Sequence, residues 1–122
     1  QPAMTIGMLC TAVLNINNLR DIENDKQSGK QTLVVQMGSK KGRLYHFILL
    51  SGALFFMLLY NILEANHGMR LLHLSAFIPL LVHALKIRKI NSPSGLDPEL
   101  KKVALSTFAL SLLFLMGYYY FL

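Results

Sequence analysis

The sequence predicts an all-α, multi-helix transmembrane bundle of about four spans, on three observations. Of its 122 residues, 53% are hydrophobic and only 15% are charged, where soluble domains run at about 45–50% and about 25%; mean hydropathy is +0.44. Charge is absent from residues 1–19, 44–63, 71–85 and 103–122 and crowded between them. Most of these runs reach about the 20 residues that a helix needs to cross the hydrocarbon core. The shorter run, 71–85, is extended by snorkelling of Arg70 and Lys86 at its ends. Finally, the basic residues are partitioned. Arg20, Lys26, Lys30, Lys40, Lys41 and Arg43 lie between the first two spans, and Lys86, Arg88, Lys89, Lys101 and Lys102 between the last two. The connection between the middle spans carries Arg70 alone. Under the positive-inside rule, 20–43 and 86–102 face the cytoplasm, with 64–70 and the C-terminus outside. The same bias explains the net charge of +6, which therefore argues for no nucleic-acid partner.

The spans are expected at about 2–27, 44–63, 69–89 and 103–122, in one transmembrane domain covering 1–122. Span one has Pro2 in its first turn and turns polar in its second half, so that from Arg20 onward it emerges into the cytoplasm. Gly29 is its stop signal. Residues 30–42 read as a loop, with an apolar stretch from Thr32 to Val35 and glycines at 38 and 42. Span two carries a Gly52-Ala53 pair suited to close helix packing. A short outer turn, Glu64–Gly68, leads to span three, where Pro79 at the centre predicts a kink. Asn91–Pro98 is turn-rich, and Asp97 is placed to cap a helix that begins near Pro98 and runs into span four. Residues 1–19 lack a charged n-region and a cleavage site, so they do not read as a signal peptide. A chain that starts within an apolar run is expected to be part of a longer protein, and the aromatic cluster from Gly117 to Leu122 suits an end at a membrane interface.

The chemistry-bearing stretch runs from Asn17 to Thr32. Residues four apart share a helix face, so Asn17, Asp21 and Asp25 form a polar ladder toward the cytoplasmic end. Two carboxylates at that spacing repel, and they sit near a helix C-terminus, where the dipole disfavours them. Divalent cations between them remove both penalties. Mg²⁺ takes oxygen ligands and is commonly held by one or two carboxylates plus substrate phosphates. Flanking Arg20 and Lys30 suit the remaining phosphate oxygens, one as a planar fork and the other as a point charge. By itself the D-x-x-x-D spacing is a weak pattern that a solvated helix end also meets, and it selects no reaction.

The run NNLRDIENDKQSGKQTLVVQMG, Asn17 to Gly38, resembles the second aspartate-rich motif of the UbiA superfamily of intramembrane aromatic prenyltransferases. Asn17-Asn18, Arg20-Asp21, Gly29-Lys30 and Thr32 to Val35, followed by Arg43, Tyr45 and His46, are most similar to the branch acting on 1,4-dihydroxy-2-naphthoate in menaquinone biosynthesis. The resemblance implies a nine-helix fold of which this chain is the C-terminal part, in a bacterial inner (plasma) membrane with the site toward the cytoplasm. It implies Mg²⁺-dependent transfer of a polyprenyl chain from polyprenyl diphosphate to the aromatic acceptor. Carried over by position, Asp21 and Asp25 are the catalytic metal–diphosphate ligands, Asn17 is an accessory ligand, and Arg20 and Lys30 contact the diphosphate. The family also needs a first aspartate-rich motif on an earlier helix. This chain has no second acidic cluster: Asp97 and Glu99 read as isolated. The missing N-terminal helices are thus an expected partner, and the chain alone is expected to be inactive.

Other branches of the superfamily, using 4-hydroxybenzoate, haem or chlorophyll precursors, share this chemistry. A non-catalytic membrane module with Asp21 and Asp25 as a cation relay is the alternative from a different class. His46, His67, His73 and His83 show no metal-ligand spacing and read as packing residues, with Tyr45 and His46 at the cytoplasmic mouth of span two. The methionines read as gap-fillers, and Cys10, alone in an apolar run, as buried packing.

Overall fold

The structure, a computed structural model, describes residues 1–64 and 69–120, the side chains of 69, 70 and 120 excepted. The expected roles of His67, of the Arg70 side chain and of the last residues of the aromatic cluster lie outside the described residues. Regular structure among the described residues is entirely helical: α1 Pro2–Arg20, α2 Ile22–Gln27, α3 Leu33–Met37, α4 Ser39–Glu64, a 3₁₀ helix Met69–Ala76, α5 Phe77–Lys86 and α6 Pro93–Tyr120.

α1 lies against α4 and α6, and α6 lies against the 3₁₀ helix and α5. The contact face of α1 is a stripe of Thr5, Leu9, Ala12, Asn15, Ile16 and Leu19, the three- and four-residue spacing of one helix side. Cys10 falls off that stripe and is exposed, which corrects the expectation that it is buried. Small residues bring α1 and α4 together, as the Gly52-Ala53 pair suggested. Ala53 is fully buried, and its carbonyl accepts a hydrogen bond from Thr5 Oγ1 at 3.1 Å. A Cβ at Gly52 would come 2.8 Å from Met8 Cε. One end further along, Asn15 Nδ2 donates to the Gly42 carbonyl at 3.0 Å. There Gly42 is closely packed: a Cβ would meet Leu19 Cδ2 at 3.1 Å and Val34 Cγ1 at 3.3 Å.

Beyond the break at Asp21, four boundaries differ from the sequence expectation, each for a local reason. The loop at 30–42 contains α3, because Thr32 Oγ1 accepts from the Val35 N–H at 3.2 Å and Val34 is buried in the core; an N-cap and one apolar anchor stabilise a turn. α4 begins at Ser39 rather than Leu44, since charge marks the depth of the hydrocarbon and not the end of a helix. Span three is not an α-helix kinked at Pro79 but a 3₁₀ helix passing into α5. Pro79 sits in the first turn of α5, where a missing N–H leaves no helical bond unmade. α6 begins at Pro93, not near Pro98. Ser92 tops it, with the Gly95 N–H donating to Ser92 O at 3.2 Å and to Oγ at 3.3 Å. Pro93 takes the first helical position, where its ring is favoured, so Asp97 is inside the helix and not its cap.

α4 and α6 are long and apolar enough to cross a membrane, with hydropathies of 1.9 and 1.5 over their most apolar stretches. Large apolar side chains such as Phe55, Ile62, Leu85 and Phe108 point outward and are exposed, as contact with lipid or further helices requires. Replacing Ala53 by Leu in the full-length protein is expected to destabilise it by about 1–3 kcal/mol through overpacking. Thermal unfolding in detergent checks this, with Phe55→Leu on the exposed face as the comparison, expected within about 0.5 kcal/mol.

Candidate functional site

The aspartate-bearing segment is built by a helix that breaks at Asp21 yet keeps a hydrogen bond on either side of the bend. α1 ends at Arg20 and α2 begins at Ile22, with Asp21 between them at φ −94° and ψ 8°. The Asp21 N–H still donates to Asn17 O at 3.0 Å, and the Asp25 N–H to Asp21 O at 2.8 Å. The expected single helix to residue 27 is therefore two helices, yet Asn17, Asp21 and Asp25 keep the one-turn spacing that the ladder needs. The segment ends as its sequence predicts. Gly29 adopts φ +73°, the left-handed conformation that favours glycine. Its N–H donates to Lys26 O at 3.2 Å, and the Lys30 N–H reaches back to Asp25 O at 2.9 Å, the pattern of a Schellman cap. That reversal folds Lys30 over the last acid, and its Nζ donates to Asp25 Oδ1 at 3.2 Å.

The two acids are neutralised by different cations. Arg20 clamps Asp21 in bidentate fashion, Nε to Oδ1 at 2.8 Å and Nη2 to Oδ2 at 3.0 Å. Nη2 also donates to Asn17 Oδ1 at 2.8 Å. Asp25 is the more buried acid. Its Oδ1 faces Lys30, while its Oδ2 is buried with no hydrogen-bond partner among the described residues. An orphaned, buried carboxylate oxygen is costly, and it fits a hard, oxygen-seeking cation. Among the described residues no group of three His, Cys, Asp or Glu side chains is gathered to hold a metal. The oxygen donors available are those of Asp25, Asp21 and Asn17.

Two features escaped sequence reading. Asp97 is not isolated: Arg20 Nη1 donates to its Oδ1 at 3.0 Å, so the start of α6 is tied to the motif. Glu99 is not isolated either. A buried chain runs from His46 Nε2 to His83 Nε2 at 2.8 Å, from His83 Nδ1 to Glu99 Oε2 at 2.6 Å, and from Lys102 Nζ to Glu99 Oε1 at 2.7 Å. His46 and His83 are fully enclosed, so His46 is a cross-helix connector and not a residue of the mouth. The readable signal was depth. Each histidine lies one turn inside its charge-free run, near Arg43 in one case and Lys86 in the other, and antiparallel helices bring equal depths together. His73 bonds Asn61 Nδ2 at 3.2 Å, consistent with packing.

Over residues 2–99 the sequence matches the UbiA prenyltransferase family. It is 41% identical over 116 residues to the 1,4-dihydroxy-2-naphthoate octaprenyltransferase of Haemophilus influenzae, and 39% identical over 116 residues to that of Escherichia coli. In both cases the match covers 95% of this chain and 38% of the relative. The chain thus spans well under half the length of the curated relatives it matches. No solved structure matches significantly.

His83→Ala is expected to lower stability by about 2–3 kcal/mol, because it leaves polar atoms of His46 and Glu99 buried without their partner. Chemical or thermal denaturation of the full-length protein measures this. His83→Gln, which can still hydrogen-bond Glu99, should recover part of the loss.

Proposed function

Because the chain belongs to the UbiA prenyltransferase family, we propose that the full-length protein transfers a polyprenyl chain from polyprenyl diphosphate to 1,4-dihydroxy-2-naphthoate, in the membrane, on the way to menaquinone. The observation that carries the reading is Asp25: a carboxylate buried at a helix end, with one oxygen paired to Lys30 and the other orphaned. The names of both relatives specify the naphthoate acceptor and an octaprenyl donor, and the Asn17–Gly38 motif supports the same branch.

In this reading Asp25, Asp21 and Asn17 would hold Mg²⁺ together with the diphosphate. The ion, when bound, supplies positive charge to the departing diphosphate as the allylic C–O bond breaks. Lys30 contributes an ammonium group beside the same oxygens, poised to exchange its bond to Asp25 for one to phosphate. Arg20, whose fork holds Asp21, Asn17 and Asp97, would orient the acids and contact the diphosphate by exchanging one of these bonds for a phosphate oxygen. Exclusion of water by the helices of the complete protein would strengthen each of these charge interactions. The ring carbon of the acceptor supplies the electron pair for the new C–C bond and then loses its carboxylate as CO₂, the electrons of the broken C–C bond restoring the aromatic ring. The facing acidic motif would come from the part of the protein upstream of this chain, and this chain alone would be inactive. The site would face the cytoplasm of a bacterial inner membrane.

Asp25→Asn in the full-length enzyme is expected to reduce prenyl transfer on the order of a hundredfold or more, the scale of losing one preorganised electrostatic partner. Chelation should abolish turnover and added Mg²⁺ restore it. An unchanged rate for Asp25→Asn would remove the acid from the site. Side-by-side assays with naphthoate and 4-hydroxybenzoate acceptors decide the branch, and turnover of the benzoate alone would overturn it.

A further inference from the structure

A groove of about 540 Å³ lies between the first turns of α4 and the turn that follows α5, lined by Lys40, Lys41, Arg43, Leu44, Phe47 and Arg88. Four of the six lining residues are cationic and none is acidic, so the cluster repels itself. No residue from Asn17 to Lys30 lines it, which separates it from the aspartate motif. Two of the cations are anchored by the fold. Arg43 Nε donates to Ser39 Oγ at 3.4 Å and its Nη1 to the Ile87 carbonyl, and the Arg88 guanidinium stacks 5.0 Å over the Phe47 ring. Lys40 and Lys41 are exposed and have no hydrogen-bond or ion-pair partner among the described residues. Fixed guanidinium groups beside free ammonium groups make a receptor for phosphate oxygens.

The wall of the groove tells which phosphate. Leu44 and Phe47 are 59% and 38% exposed, and they stand where α4 passes from its basic turns into the charge-free run 44–63. We propose that the groove binds the headgroup of an anionic phospholipid, its phosphate among Lys40, Lys41, Arg43 and Arg88 and an acyl chain along Leu44 and Phe47. Basic pockets between transmembrane helices recognise such headgroups. Free phosphate and diphosphate share the anion chemistry but gain nothing from the apolar wall, and the polyprenyl diphosphate is assigned above to the aspartate segment, which does not line this groove. The proposal does not depend on the assignment of the prenyl acceptor.

The test uses the full-length protein in nanodiscs of equal parts phosphatidylcholine and phosphatidylglycerol, with native mass spectrometry of the lipid retained on release. Wild type is expected to retain phosphatidylglycerol preferentially. Lys40→Gln and Lys41→Gln should each reduce that preference about fivefold, and Phe47→Ala should weaken retention without affecting free phosphate. Both lysines are exposed and unpartnered, so these variants keep the fold. Lys89→Gln or Lys101→Gln removes the same single charge outside the groove and should leave the preference nearly unchanged. An equal loss in that control would mean diffuse surface attraction and overturn the site. Displacement of the lipid by inorganic phosphate or diphosphate, with no effect of Phe47→Ala, would assign the groove to a soluble anion and overturn the lipid. Turnover is not part of this readout, so its outcome stands apart from that of the prenyl-transfer assays.

Discussion

The aspartate segment depends on one guanidinium. Asp21 and Asp25, a turn apart at the C-terminal end of a helix, oppose each other and the helix dipole. Arg20 relieves this by clamping Asp21, and the same planar fork reaches Asn17 on one side and Asp97 on the other. Its planar fork pairs Asp21 through two parallel bonds and still has N–H groups for the other two partners; a lysine in its place would offer three donors from one nitrogen and no bidentate pairing. Because Asp97 belongs to α6, this clamp also sets where α6 begins relative to α1. The family's acidic motif is therefore a joint in the fold as well as a candidate site, and the second acid is left with its own cation, Lys30, delivered by the turn at Gly29.

Below the joint, the bundle is held by polar contacts between apolar helices. Thr5 to Ala53, Asn15 to Gly42, and the chain from His46 through His83 and Glu99 to Lys102 each cross from one helix to another. Where hydrocarbon surrounds the helices, burial of apolar surface discriminates weakly between rotations and registers. Satisfying each buried donor and acceptor discriminates strongly, since an unmet one is expensive. The glycines at 42 and 52 permit these contacts by letting backbones approach. The basic groove beside α4 is a consequence of the same packing: Arg43 is drawn to the end of α5 at Ile87, which brings Arg88 to the same face.

Much of this was legible from residue order. The charge-free runs fall in helical structure among the described residues, two of them on helices long and apolar enough to cross a membrane; the Gly52-Ala53 pair marked the close approach, Gly29 the cap, and the Asn17 to Gly38 run the family. Boundaries were less legible where local chemistry competes with composition. Thr32 and Val34 organise a helix within a stretch that reads as loop. Ser92 and Pro93 start a helix upstream of the proline that looked like its beginning. Cys10 was misjudged because an apolar run says nothing of which face is inward.

What the sequence determined alone was the local and periodic part: helices from apolar runs, an acidic ladder from i, i+4 spacing, and a reversal from a glycine that must take positive φ. What only the tertiary structure decided was which distant groups share a charge. Asp97 stands far along the chain from Arg20, and Glu99 from His83 and His46, and no spacing rule spans such separations. Their meeting follows from antiparallel helices that align residues of equal depth, and from the cost of burying a charge without a partner. The same packing leaves one oxygen of Asp25 without a partner, which no pattern of residue types discloses.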